Sequence, residues 1–396
     1  MGTIERVASR GDLRAFIRLP AELYRNDPLW APPLWTDERR SYSGKTSAIL
    51  RNSDYALFLA RKGARVVGRN LVYIDHTFNR YYNERIGFFG AFEAAAGVAG
   101  LDAVDGSREA SGEEAGPDMA VNEAADSLLA AGEAWLRERG MRAVRGPIHP
   151  VAEIWGLQVE GGSVPPIFMS SYNPPEYARF LEARGYGKAK DLLVYAADSA
   201  NGYVIPNRFV SFAERMAEKR PNIRVRAIRP RSLSEDGEHI WRISNIAYAD
   251  NWGYVPVDKG VLQEMIRKLK PVIDPDAIWF VEDNGNPVGY CLGFPDLNVV
   301  LRKIGGRLFP FGFISLLSGV PKITNYRLFG LAVLPEYHGM GLDVLLYVTL
   351  YKALSARKIR LEANYILEDN LMIRNALEKL DLRHVKTYRV YEKGLA

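Results

Sequence analysis

Residues 327–347 read RLFGLAVLPEYHGMGLDVLLY, and the order within this stretch decides the fold. LFGLAVL is an apolar strand pattern and PEYHGMG is a glycine-bearing turn. LDVLLYVTLYKAL (342–354) is a helix pattern that follows at once. Such a turn aims backbone N–H groups at one point, where the start of the helix adds partial positive charge. A corner of this kind binds phosphate or pyrophosphate. The spacing is neither a P-loop, which places Lys after its last Gly, nor G-x-G-x-x-G.

Around this corner the two halves of the chain repeat one order of elements. In the second half, IRVRAIRP (223–230) predicts a strand and WRISNIAYADNWGYVP (241–256) a helical region. AIWFVEDNGNPVGYCLGF (277–294) predicts two strands around Asn284-Gly285. After the corner come the strand KIRLEANYIL (358–367), a helix at DNLMIRNALEKL and a closing strand at HVKTYRVYEK. The first half has a hairpin around Lys62-Gly63 (56–75), a strand at RIGFFGAFEA (85–94), an amphipathic helix at 124–140 and a strand at MRAVRGPI. It ends in a helix at YNPPEYARFLEARGY and a strand at 188–198. This predicts an α/β (α+β) chain of two lobes, each a mixed, partly parallel sheet flanked by helices. The lobes are expected at 1–198 and 207–396, joined by DSANGYVIP. Only the second has a glycine turn, so it is assigned the cofactor and the first lobe the acceptor side. Residues 95–123, rich in Ala, Gly and acids with Arg108 as their single basic residue, read as a mobile loop.

Composition narrows the class. At 396 residues and 47% hydrophobic, the chain has enough apolar content for a sizeable core in each of two lobes. Its one cysteine, Cys291, excludes an internal disulfide, fits a reducing compartment and lies in the apolar run VGYCLGF. The start MGTIERVASRGDLR lacks the apolar stretch of a signal peptide. The longest apolar run, FPFGFISLLSGV (309–320), is shorter than the roughly 18 residues of a membrane span. These features point to the cytoplasm. A net charge of +5 permits attraction to anionic lipid or an anionic cofactor, and no basic helix or motif points to nucleic acid. The five histidines are scattered and no metal-ligand spacing occurs, so no metal is expected.

Several segments resemble one family. They are LYRNDPLWAPPLW (23–35), GFFGAFEA (87–94), RGPI (145–148), PPIFMSSYNPPEY (165–177) and KAKDLL (188–193) in the first half. In the second they are ADNWGYVP (249–256), GRLFPFG (306–312), ILEDN (366–370) and KTYRVYEK (386–393). Together they resemble the two-lobed bacterial GNAT-like N-acyltransferases, the group that includes bacterial ceramide synthases. The glycine corner is similar to the GNAT pyrophosphate loop, Gln/Arg-x-x-Gly-x-Gly/Ala, with His338, Gly341 and Asp343 at its three positions. The resemblance implies an acyl-coenzyme A donor, no metal, and an amine acceptor that is a long-chain base. It assigns the donor to Leu331, Val333, His338, Gly339, Met340, Gly341, Leu342, Asp343 and Asn370. The chain departs from the family in three places. Asp343 puts a carboxylate at the corner, HPVAEIWG (149–156) replaces an Asn- and acid-rich segment ending in Cys-Gly, and Leu377 stands where ordinary GNAT enzymes carry an acidic Tyr.

Acyl transfer to an amine needs a proton acceptor and donors to the thioester oxygen. Candidate bases are Glu93 after an aromatic strand, His149 and Glu153 in the loop after RGPI, and Glu362 on the strand after the cofactor helix. No Ser-His-Asp or Cys-His arrangement appears, which disfavours an acyl-enzyme. Asn251, Trp252 and Tyr254 form a candidate acceptor wall, and Tyr326 a candidate orienting residue. The segment 297–323 has no acid, the four basic residues Arg302, Lys303, Arg307 and Lys322, and dense apolar content that includes Leu308, Phe311 and Phe313. It suits an acyl chain or a peripheral contact with the inner face of a membrane. The expectation is an N-acyltransferase of a long-chain base. An N-acetyltransferase of a small polar amine and a non-catalytic acyl-coenzyme A-binding protein stay open as alternatives.

Overall fold

The structure, a computed structural model, describes residues 2–95, 122–150 and 154–396. The expected mobile loop falls almost wholly outside them, as does Glu153. The chain divides into two compact units, Met1–Asp191 with Tyr388–Ala396, and Leu192–Thr387. The division lies before the expected joint at 198–206, and the last nine residues go to the first unit. The closing strand read from HVKTYRVYEK is long enough for its second half to pair elsewhere, and strand pairing is non-local.

In chain order the elements up to residue 198 are β1 (Thr3–Arg6), α1 (Arg10–Leu23), α2 (Trp35–Ser41), β2 (Ser53–Lys62), β3 (Arg65–Asp75), α3 (His76–Tyr82), β4 (Ile86–Ala94), α4 (Glu123–Arg137), β5 (Ala143–Gly146), β6 (Leu157–Glu160), α5 (Glu176–Ala183) and β7 (Gly187–Asp198). Then come α6 (Asn207–Lys219), β8 (Ile223–Ala227), α7 (Leu233–Ala247), α8 (Lys259–Leu269), β9 (Ile278–Asp283), β10 (Asn286–Pro295), α9 (Asn298–Ile304), α10 (Gly312–Gly319), β11 (Asn325–Val333), α11 (Leu342–Leu354), β12 (Arg360–Leu367), α12 (Leu371–Lys379) and β13 (Arg383–Gly394).

In the first unit the strands run β1-β2-β3-β4-β5-β13, the last through Tyr391–Gly394 against Ala143–Gly146. β4 and β5 are parallel and pair only at Ile86–Phe88 with Ala143–Arg145; the other pairs are antiparallel. In the second unit they run β7-β12-β11-β10-β9-β8, and β11 and β12 are the parallel pair, matched only at Asn325–Leu328 with Arg360–Ala363. Each sheet is therefore mixed, as expected, with one parallel pair that ends early and leaves a fork. Sequence and backbone agree closely at the β9–β10 turn, where Asn284 and Gly285 have φ of 49° and 81°, the type I′ signature of an Asn-Gly hairpin. α11 is apolar on nearly all sides because it is buried on nearly all sides, with Leu342, Leu345, Leu346, Val348 and Leu350 in the core. Among the described residues no helix is long and apolar enough to cross a membrane.

Candidate active site

The second unit's fork opens where β11 and β12 part. Leu292 pairs with Gly330 and Gly293 with Leu328, so Phe329 is the extra residue of a β-bulge just past the last rung of the parallel ladder. A bulged residue is left out of the ladder, and bulges re-aim the chain beside sites. The carboxyl ends of parallel strands are where open α/β sheets hold ligands.

The strand then leads through Pro335–Tyr337 into the corner, where Gly339 and Gly341 both have φ of 76°. Gly341 is the N-cap of α11, and no side chain caps it. The first helical amides have no acceptor inside the helix, so those of Leu342 and Asp343 remain for a ligand. A Cβ on Gly341 would lie 2.5 Å from Phe212 Cζ, so both conformation and space exclude a side chain there. Two amides of the turn are used internally, His338 N–H donating to Pro335 O (3.0 Å) and Met340 N–H to Tyr337 O (3.3 Å). His338 Nε2 stands 3.0 Å from Val333 O. Asp343 lies in the first turn, and its charge, behind burial, helps to raise the pKa of Tyr347 one turn on. The corner fits a pyrophosphate at Gly339, Gly341, Leu342 and Asp343. Leu331 and Val333 bring the strand to it. Asn370 caps α12, accepting from Ile373 N–H at 3.2 Å, and Leu377 is fully buried seven residues on.

On the far face of the fork Arg327 and Glu362 stand in register, both buried. The Arg327 guanidinium lies 5.0 Å from the Phe329 ring and 5.1 Å from that of Tyr365. Lys386 Nζ, fully buried, donates to both Glu362 oxygens (3.1 and 3.0 Å), and Arg360 donates to Oε1 at 3.0 Å. Burial lowers the Lys386 pKa and Glu362 opposes that shift. Both Glu362 oxygens are thus engaged by cations, and the carboxylate balances the charge of buried Lys386. The loop Asn251–Tyr254 turns back on α7, with Tyr254 donating to Asn245 Oδ1 at 2.6 Å and its ring 5.8 Å from that of Tyr248. Tyr248 Oη would lie 3.2 Å from a Cβ on Gly330, which places this loop beside the bulge. Trp252 is half-buried in the loop. Tyr326 does not face the fork: it is buried, its hydroxyl donating to Asp274 (2.6 Å) and accepting from Arg357 (3.2 Å). Leu308 is half-buried, while Phe311 and Phe313 are exposed.

The first unit holds a buried polar chain built on Glu93 and His149. Glu93 Oε2 accepts from Tyr24 (2.6 Å) and Tyr177 (3.0 Å), and Oε1 lies 3.8 Å from Arg69 Nη2. Burial raises the Glu93 pKa, against the pull of Arg69 and the two tyrosines. Arg69 donates to Phe16 O at 2.9 Å and reaches Glu38 at 3.9 Å. Tyr42 lies 2.7 Å from Glu38 Oε1 and 2.8 Å from His149 Nε2. A carboxylate only accepts, so the one hydroxyl proton goes to Glu38 and the oxygen accepts from Nε2–H. This leaves the lone pair of the neutral imidazole on Nδ1, which is buried without a hydrogen-bond partner among the described residues. Burial holds the His149 pKa below its ordinary value, with Glu38 opposing and Arg69 adding. Among the described candidate bases, His149 thus keeps a basic ring nitrogen, Nδ1, without a hydrogen-bond partner.

Sequence reasoning missed Tyr24, Glu38, Tyr42, Arg69 and Tyr177 here, and Arg327, Phe329 and Lys386 at the fork. A signal existed: cations interrupt apolar strands, one each in VVGRNLVY and NYRLFGLAV and two in HVKTYRVY. Such a cation is buried only with partners.

No protein-family model matches the chain. Protein YghO of Escherichia coli K12 is 30% identical over 405 residues, spanning all of this chain and 96% of that protein. The bacterial ceramide synthase of Caulobacter vibrioides is 29% identical over 400 residues, spanning 98% of this chain and 96% of the other. Among solved structures, a tandem GNAT protein from the clavulanic acid biosynthesis pathway aligns over all of this chain and 99% of its own, with a TM-score of 0.54 and 12% identity. A GCN5-related N-acetyltransferase from Sphaerobacter thermophilus aligns with a TM-score of 0.52 and 13% identity over all of this chain and 96% of its own. Full-length similarity to these relatives and the double GNAT architecture agree: the chain belongs to the two-lobed bacterial GNAT-like N-acyltransferase family, the group that includes bacterial ceramide synthases, and so to the acyltransferases of GNAT type.

Proposed function

We propose that the chain moves a long acyl group from acyl-coenzyme A to the amino group of a long-chain base, in the cytoplasm at the inner face of the membrane. The observation that carries this reading is the open β11–β12 fork leading into an uncapped glycine corner. In the proposed site the corner holds the pyrophosphate and the Phe329 bulge offers its N–H to the carbonyl oxygen. The amine forms its C–N bond as the C–S bond breaks, and its proton passes to a base. Asn251, Trp252 and Tyr254 flank the acceptor. The exposed apolar residues of 309–317 and the similarity to the ceramide synthase of Caulobacter vibrioides support a lipid rather than a small polar amine. A non-catalytic acyl-coenzyme A-binding role is favoured by Asp343 at the corner and by buried Leu377.

The test is an acylation assay with a sphingoid base as acceptor and donors of graded length. Burying a CH₂ contributes about 0.8 kcal/mol, so half of the roughly 6 kcal/mol for eight methylenes would favour palmitoyl over octanoyl donor by about a hundredfold. Equal rates with acetyl- and palmitoyl-coenzyme A, or transfer only to small polar amines, would overturn the lipid reading. Binding of the donor with no transfer to any amine would favour the non-catalytic one.

A further inference from the structure

Residues 297–323 hold the helices α9 and α10, and a Cβ on Gly319 of α10 would lie 2.8 Å from Val300 of α9. Leu297, Val300, Leu301, Leu316 and Ile323 are buried. Outside them stand Phe309 (78% exposed), Phe311 (72%), Leu317 (54%), Ile314 (52%) and Phe313 (43%). The Phe309 and Phe313 rings lie 6.4 Å apart, so these side chains form one surface. α10, GFISLLSG, has no charged residue and puts its two serines, Ser315 and Ser318, on one face, yet of its apolar side chains only Leu316 is buried. The apolar face of an amphipathic helix is stable only against another apolar surface. Contiguous apolar patches of this kind mark contact surfaces.

Charge selects the occupant. The segment has no acid, and Lys303, Arg307 and Lys322 are exposed around the patch. A second copy seated here would set cation against cation, whereas an anionic surface is complementary. The segment springs from the end of β10, where the Phe294 ring meets the Phe329 bulge edge-on at 5.8 Å.

We propose that the Phe309–Leu317 face enters the interface of an anionic bilayer, with Lys303, Arg307 and Lys322 against the lipid headgroups. Aromatic side chains settle at this depth, and basic residues near an anionic surface strengthen binding by roughly fivefold each. The proposal rests on the acyl-transfer reading for its purpose, since it gives an apolar substrate a surface from which to reach the fork. Its test uses neither substrate.

The full chain is sedimented with vesicles of phosphatidylglycerol and phosphatidylcholine, and with phosphatidylcholine alone. The unmodified protein should bind the anionic vesicles and prefer them. Phe309→Ser/Ile314→Ser/Leu317→Ser should weaken that binding by about a hundredfold. Lys303→Gln/Arg307→Gln/Lys322→Gln should remove the preference for anionic lipid. Circular-dichroism melting shows that both variants fold, and coenzyme A calorimetry reports the corner separately, so a failed lipid test is not confused with a failed acyl-transfer reading. If folded variants sediment as the unmodified protein does, the proposal is wrong. It is equally wrong if the unmodified protein ignores vesicles and sedimentation velocity shows a dimer that the apolar variant abolishes.

Discussion

The two units carry the same local device and use it differently. In each, one parallel strand pair ends early, after Phe88 and Arg145 in the first and after Leu328 and Ala363 in the second. In the first unit the chain fills the gap with itself. Ile148 N–H donates to Phe89 O at 2.7 Å and Tyr73 donates to Ile148 O at 3.2 Å. A Cβ on Gly90 would lie 2.4 Å from that same oxygen. The RGPI segment closes the fork and delivers His149 to the polar chain. In the second unit β11 instead runs on to a bulge at Phe329 and a glycine corner that opens α11. A shared topology therefore creates an opening, and the segment that follows decides whether it becomes packing or a site.

The largest expected effect tests the charges that hold the second fork. Lys386→Met leaves Glu362 buried with Arg360 as its remaining partner among the described residues, and should destabilise the fold by about 3–5 kcal/mol in urea denaturation. Arg69→Met in the first unit should cost less, because Glu93 keeps two tyrosine donors and Glu38 keeps Tyr42. Equal losses would mean that the two forks are held alike.

Next comes the corner. Gly341→Glu adds a side chain into Phe212 and a negative charge where anions are drawn, and should weaken coenzyme A binding by at least about a hundredfold in calorimetry. The unmodified chain should bind one coenzyme A. A second site that survives in the variant would break the contrast between closed and open fork.

The smallest effect concerns His149. Its folded pKa lies below the unfolded value, so in that window the unfolded chain binds more protons and stability rises with pH. The contribution is fully present above the ordinary histidine pKa of about 6.5 and is lost as pH falls through the folded value. Melting of His149→Gln against the unmodified protein should show a shallower loss of stability below about pH 6.5, by under roughly 1 kcal/mol. Nitrogen NMR of the labelled histidines should find His149 as the Nε2–H tautomer at neutral pH, and Tyr42→Phe should remove that bias.

The strand, turn and helix of 327–354 were legible because each is a local pattern: apolar runs, a left-handed glycine, an uncapped helix start. The hairpins at 62–65 and 284–285 were legible for the same reason. The sequence by itself determined this order of elements, the family and the positions of the glycine corner. Tertiary structure alone decided that β13 leaves the second unit for the first, that Glu362 is bound by Lys386, and that Tyr24, Arg69 and Tyr42 converge on Glu93 and His149. Those contacts join residues far apart in the chain, Tyr42 and His149 by 107 positions and Arg145 and Glu392 by 247. Local propensity carries no information about such pairs; burial does, because a charge taken out of water is stable only where the fold brings it a partner.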